Sequence, residues 1–191
     1  LWYRRQRQMC IRDSAYSIEG RSSKDFEKTL NFLVSNQKDV HNLLTKYTDA
    51  CFLYLRRQVQ SGADVIQIFD SWANLLTKEG LIEYSFNYIN ALISALKLDP
   101  VTKNIPVIVF ARNPKCNIEE LINTSADCIS LFWSMNDLNF EVAKNKVAIQ
   151  GNLDPKILLE SDETIKTETY KILERFKEYP GYIFNLGHGI T

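Results

Sequence analysis

The sequence predicts an α/β fold built around a parallel sheet, on three observations. Short apolar runs of four to six residues alternate with longer amphipathic stretches, the order expected of repeated βα units. Runs such as "VIVF" are apolar at every position, as in strands covered on both faces. Polar and small residues gather where the runs end, in "DSW", "RNP", "SMN", "QGNLDP" and "NLGHG". In parallel architectures the C-terminal edge of the strands carries the active site. A doubly wound open sheet and a (β/α)8 barrel both satisfy this pattern, and periodicity does not choose between them.

The elements follow in order. "AYSI" reads as a short or partial strand ending near Gly20, and Ser22 or Ser23 is placed to cap a helix through Phe26, Leu30 and Leu33. A longer helix is expected over about 36–60, where Val40, Leu43, Leu44, Tyr47, Cys51, Leu55 and Val59 fall at helical steps. "SGAD" breaks it before the strand "VIQIFD". Then come a helix about 79–97, the strand "PVIVF", a helix about 117–124, the strand "DCISLF", a helix about 137–145 and the strand "VAIQG". Helices from Pro155 to Phe176 lead to the last strand, "GYIFNL", for six strands in all. A complete barrel needs two more, and roughly 250 residues.

Composition excludes some classes of function. The chain has 191 residues, 45% of them hydrophobic, and a formal net charge of zero, so nothing directs it to nucleic acid or to an anionic membrane surface. No apolar run approaches the roughly 18 residues of a membrane span. The four cysteines, Cys10, Cys51, Cys116 and Cys128, are widely spaced with no CxxC pair, as expected of reduced thiols and not of a zinc site. Residues 1–14, "LWYRRQRQMCIRDS", carry Arg4, Arg5, Arg7 and Arg12 against Asp13 and show no apolar period. They resemble translated adapter sequence and are expected to be non-native or disordered, leaving 15–191 as the folded unit.

At the strand ends, several side chains are candidates for chemistry. Asp70 and Ser71 stand at the lip of one strand, Asp70 as a ligand contact or as a cap for the next segment; Ser71 lacks a GxSxG elbow. Asn152 and Asp154 come after "AIQG", and the Asp154-Pro155 pair reads as a helix start. Gly151 would let backbone approach a ligand closely. His188 is one of two histidines. It lies between two glycines, an arrangement that leaves the imidazole exposed at the rim and available for function. His41, in a helix, is expected to face solvent. No second histidine or cysteine accompanies His188 as a metal ligand.

Taken together, "YSIEG", "SSKDF", "IQIFDSWA", "IPVIVFAR", "AIQGNLDP" and "PGYIFNLGHGI" resemble the uroporphyrinogen decarboxylase family, in the family's order and across 15–191. The resemblance implies a (β/α)8 TIM barrel that is incomplete. The six strands match the third to the eighth of the barrel, the C-terminal two-thirds, so that roughly the first two strands are missing and the chain is a fragment truncated at both ends. It implies a cytoplasmic, homodimeric carboxy-lyase of haem biosynthesis. That enzyme needs no cofactor and no metal, and converts the four acetate side chains of its small-molecule substrate, uroporphyrinogen III, to the methyls of coproporphyrinogen III. Tyr16, Ser71 and His188 match family positions that line the cleft: Tyr16 and Ser71 as hydrogen-bond donors, His188 as a carboxylate contact or proton carrier. Asp70 and Asn152 are weaker candidates for substrate contact. The family's substrate-binding arginines and its central aspartate have no counterpart. Two departures stand out: Asn74 replaces a turn glycine in "FDSWAN", and Phe132 replaces a polar rim residue in "SLFW". A corrinoid-dependent or cobalamin-independent methyltransferase of the same barrel superfamily is the competing enzyme, but its HxC zinc spacing is missing. A non-catalytic, tetrapyrrole-binding piece is the alternative outside enzymes, and the chain alone is expected to be inactive.

Overall fold

The computed structural model describes residues 17–20, 26–135 and 139–190. Tyr16 and the segment 1–14 lie outside the described residues. Helix α1 (Glu27–Ser35) leads into the long α2 (Gln37–Gln60). Strand β1 (Ile66–Asp70) is followed by a 3-10 turn (Ala73–Leu75), a short α3 (Lys78–Leu81), one π-helical turn (Ile82–Phe86) and α4 (Asn87–Leu98). Next come β2 (Val107–Ala111), α5 (Ile118–Ile122), β3 (Cys128–Ser130) and a 3-10 turn (Phe140–Val142). The described chain ends with β4 (Ala148–Gln150), a 3-10 segment (Pro155–Leu159), α6 (Asp162–Arg175) and β5 (Tyr182–Ile183).

All five strands are parallel, and their spatial order is their chain order, β1-β2-β3-β4-β5. A doubly wound sheet reverses its order at a switch point. This one never reverses, so crossovers of one hand stack the helices on a single face. The arrangement is an arc of consecutive strands from a (β/α)8 barrel, incomplete at five strands.

Register separates the two faces. Ile68, Val109 and Ile129 align with Ile149 and Tyr182 on the outer face. The first four are at most 5% exposed. They share one core with Leu92, Ile93 and Leu96 of α4 and with Cys51 and Leu55 of α2, and Tyr182 stacks on Phe176 at 4.5 Å just beyond α6. On α2 the buried positions Val40, Leu44, Cys51 and Leu55 reproduce the helical spacing expected of them. Burial of this layer is the main source of stability, at about 25 cal/mol per Å² of apolar surface.

Three expectations change. "AYSI" is not a strand over its described part, since residues 17–19 are helical; a run of four residues is too short to fix a period. Helix α1 begins after Phe26, held at φ 51 with no side-chain cap of its own. Its first turn is satisfied instead by Glu19, whose carboxylate accepts from the Thr29 N–H at 2.9 Å and the Thr29 hydroxyl at 3.2 Å. Ser22 and Ser23 lie outside the described residues. Finally, the helix expected over 137–145 is a 3-10 turn in its described part, with the Asn139 side chain accepting from the Glu141 N–H at 3.2 Å.

Candidate active site

Because every strand is parallel, all five C-terminal ends meet along one lip. On the interior face, the layer nearest that lip is Phe69, Phe110, Ser130, Gln150 and Ile183, which are aligned strand to strand. Phe69 packs on Phe110 at 5.8 Å, and the Gln150 amide donates to the Ser130 hydroxyl at 3.0 Å. The wall is therefore apolar on its β1–β2 side and polar on its β3–β4 side.

His188 lies over this wall. The loop after β5 is tied to the loop after β4 by the parallel bridge Leu153–Leu186, and the Gly187 N–H donates to the Leu153 carbonyl at 2.8 Å. This folds His188 back across the lip, edge-on to Phe132 at 5.9 Å and to Phe110 at 6.3 Å. The imidazole is half-buried, not exposed as the flanking glycines suggested. Those glycines serve a different purpose. A Cβ on Gly187 would collide with the Trp133 backbone nitrogen, so the glycine permits a close crossing of two loops. Gly151, at φ 116, likewise crowds the Leu131 carbonyl and not a ligand.

At the other end of the lip, Ser71 is the first residue past β1 and is half-buried. Asp70 shares the outer face with Ile66 and Ile68, in a strand whose burial alternates. It is 3% exposed and points to the helix layer, where the Ser85 hydroxyl donates to it at 2.5 Å. Its second oxygen accepts from the Trp72 N–H at 3.1 Å, the capping geometry weighed for it above. Burial pushes its carboxyl up to about 6, with the Ser85 hydrogen bond opposing. The π-helical turn carries Ser85, so an irregularity in the helix layer completes the turn that holds Ser71. Trp72 packs on Phe26 at 4.6 Å.

Asn152 is 2% exposed and donates to the Phe132 and Trp133 carbonyls at 3.3 and 3.4 Å, fixing the loop that presents Phe132. Asp154 caps the 3-10 segment that starts at Pro155, accepting from the Lys156 N–H at 3.0 Å. Asn74 sits in a 3-10 turn and not at a left-handed angle, so asparagine carries no backbone cost there. His41 does not face solvent freely. Its Nδ1 lies 2.7 Å from the Tyr88 hydroxyl and its Nε2 3.3 Å from Glu83, between α2 and the helix layer of β1. Among the described residues no three His, Cys, Asp or Glu side chains gather as metal ligands, and no helix is long and apolar enough to cross a membrane.

The structure thus brings Ser71 and His188 to one lip, joined through Phe69 and Phe110, and sets Asp70 and Asn152 behind it. Sequence reasoning missed Phe110 as a neighbour of His188 and took Phe132 only as a departure at the rim. Alternation along "VIVFA" does put Phe110 on the same face of the pleat as Ile108. Which of the two faces is interior depends on the register, which the sequence alone does not supply.

Comparison with known proteins decides between the two barrel families weighed above. The uroporphyrinogen decarboxylase family model matches residues 14–191. The chain belongs to the uroporphyrinogen decarboxylase family. Among curated relatives, the uroporphyrinogen decarboxylase of Alcanivorax borkumensis is 38% identical over 180 residues, and that of Aquifex aeolicus 40% over 177. Each alignment covers 93% of this chain and 51% of the relative. The chain therefore spans about half the length of the curated relatives it matches. Among solved structures, a methyltransferase from Methanosarcina mazei superposes with a TM-score of 0.68 at 16% identity, covering 86% of this chain and 48% of the other. That likeness establishes the barrel fold and nothing about chemistry.

Proposed function

We propose that the protein represented by this chain decarboxylates the four acetate side chains of uroporphyrinogen III, giving coproporphyrinogen III, as a cytoplasmic homodimer. Family membership supports the reading, and the observation that carries it to particular residues is His188, held over the same lip as Ser71. The chemistry is within reach of protein side chains. A pyrrole carbon accepts a proton, the resulting electron-poor ring draws the electrons of the breaking C–C bond, and carbon dioxide leaves; the exocyclic methylene left behind then takes a proton to become the methyl group, and the ring carbon gives up the proton it accepted. The protein has to orient the macrocycle, hold carboxylates and deliver protons at fixed positions.

His188 is the proton carrier or carboxylate contact in this scheme. Its Nδ1 lies 3.2 Å from the Gly189 carbonyl; with Nδ1–H donating there, Nε2 is the nitrogen offered to substrate. Ser71 and Tyr16 donate hydrogen bonds to substrate carboxylates. Asp70 and Asn152 act chiefly from behind, holding the Ser71 turn and the Phe132 loop in place. The rings of Phe110 and Phe132 give the macrocycle an apolar wall, against which a misplaced water is excluded.

The test supplies this chain with the portion of the Aquifex aeolicus relative that it does not match, and follows product composition by chromatography of the oxidised porphyrins. The assembled protein is expected to decarboxylate without added metal or cofactor. His188→Asn is expected to slow turnover about 10²–10⁴-fold, the usual contribution of a positioned acid or base, and to change which partly decarboxylated products accumulate. Unchanged rates and intermediates would remove His188 from the mechanism.

A further inference from the structure

We propose that Arg112 is a carboxylate-binding residue of this lip, a cationic anchor for a planar polycarboxylate lying across β1 and β2. The inference rests on the decarboxylase reading for the identity of its ligand, and on backbone register and charge for the residue.

Arg112 is the first residue past β2, and its backbone N–H donates to the Asp70 carbonyl at 2.8 Å. That bond continues the β1–β2 ladder beyond the Asp70–Ala111 pair, so Arg112 stands directly beside Ser71. The alternation that turns Ala111 outward, 2% exposed, turns Phe110 inward, and the ladder bond to Asp70 extends that pleat by one residue, to Arg112. The ring of Phe110 is the one His188 approaches. Ser71, Arg112 and His188 thereby converge on one stretch of the lip.

Its electrostatic position is unusual. Arg112 is half-buried, and among the described residues no carboxylate pairs with it. The other half-buried cations among the described residues are paired: Arg56 with Asp99 at 3.0 Å, Lys97 with Asp127 at 2.7 Å, Lys144 with Glu141 at 3.7 Å. The acid nearest along the ladder, Asp70, points to the opposite face and is engaged by Ser85 and the Trp72 N–H. A guanidinium that is partly withdrawn from water, beside an apolar wall, favours an anion, and its planar fork matches a carboxylate in two parallel hydrogen bonds. A hydroxyl at Ser71 supplies a further donor to the same group. The substrate class this arrangement suits is a flat molecule with carboxylates on its rim.

Binding is measured on the full chain with two probes, uroporphyrin, which is already oxidised and does not react, and mellitic acid, a flat hexacarboxylate with no pyrrole. Titrations use porphyrin absorbance and the Nε–Hε resonance of Arg112 in ¹⁵N-labelled protein, assigned by its loss in Arg112→Lys. Arg112→Gln is expected to weaken both probes about 10- to 100-fold, the range for a hydrogen bond to a charged group. Arg112→Lys should retain part of the binding, and should Arg112→Gln fail to fold, it carries the comparison. Lys115→Gln, an exposed position on the same loop, should stay within about twofold, since exposed charges contribute little. Arg112→Gln binding both probes as well as the unaltered chain overturns the proposal, as does an unaltered chain that binds neither. Loss of mellitic acid on Arg112→Gln, in a chain that never binds uroporphyrin, supports the anchor and sinks the decarboxylase reading instead.

Discussion

Gly187→Ala is expected to be among the most damaging single-methyl additions in the chain. The new Cβ would run into the Trp133 nitrogen and lie 2.5 Å from its Cα and 2.7 Å from its Cβ. The obstacle is mostly backbone, so no rotamer change relieves it, and the two loops must part. Overpacking costs typically about 1–3 kcal/mol, and we expect the upper end in a urea unfolding series read by tryptophan fluorescence. The separation also moves His188, whose position depends on the Gly187–Leu153 hydrogen bond. Gly80→Ala is the control. There a Cβ meets nothing closer than 3.4 Å, and within helix α3 alanine should stabilise by about 0.5–1 kcal/mol. Equal midpoints for Gly187→Ala and the unaltered chain would show that the crossing is not tight.

Asp70 gives the second large effect, through pH. Its folded carboxyl titrates at about 6 against an ordinary value of 3.8, because burial disfavours the charge more than the Ser85 hydroxyl and the Trp72 and Ala73 N–H groups favour it. A raised acid binds more protons folded than unfolded between those values. Its stabilising contribution is therefore fully present below about pH 4 and is lost as pH rises through about 6. At about 1.4 kcal/mol per unit, the loss is on the order of 3 kcal/mol. Asp70→Asn keeps an oxygen for the Trp72 N–H and an amide for Ser85, and has no charge to bury. Its stability, from denaturant midpoints between about pH 4 and 8, should lack this decline and exceed that of the unaltered chain at the alkaline end. Parallel pH profiles for the two would mean that Asp70 is not titrating where its burial puts it.

Legibility in the sequence followed the range of the forces involved. The strand "VIVF" and the helix of Val40, Leu44, Cys51 and Leu55 were readable because burial is periodic and local in the chain. Asp154 and Pro155 were readable because a cap is a contact between near neighbours. Asp70 was half-readable: its hydrogen bond to Trp72 is two residues away, but Ser85 reaches it only through a π-helical turn that no pattern announces. His188 was singled out by its glycines for a reason that proved different. The sequence places glycine beside histidine, and only the crossing with Trp133, far earlier in the chain, explains the glycine. "AYSI" misled because the capping role of Glu19 toward Thr29 is set by tertiary approach. Phe132 departs from the family's polar residue, and the structure uses it as a wall for the imidazole.

The uninterrupted strand order has a kinetic consequence. Among the described residues each strand pairs with the one just before it in the chain, so each of these pairings closes a single crossover. Closure entropy rises only slowly with loop length, and contacts of modest sequence separation speed folding. The sheet can grow by accretion, one unit templating the next. Opening should then run in the reverse sense from the margins inward. Amide exchange would be slowest in the layer of Val109, Ile129 and Ile149, which are not exposed at all, and fastest at β5, where two residues make the pairing with β4 and Ile183 is 44% exposed. The imidazole of His188 hangs from that unit, so the part of the lip that holds it is also the part that loosens first.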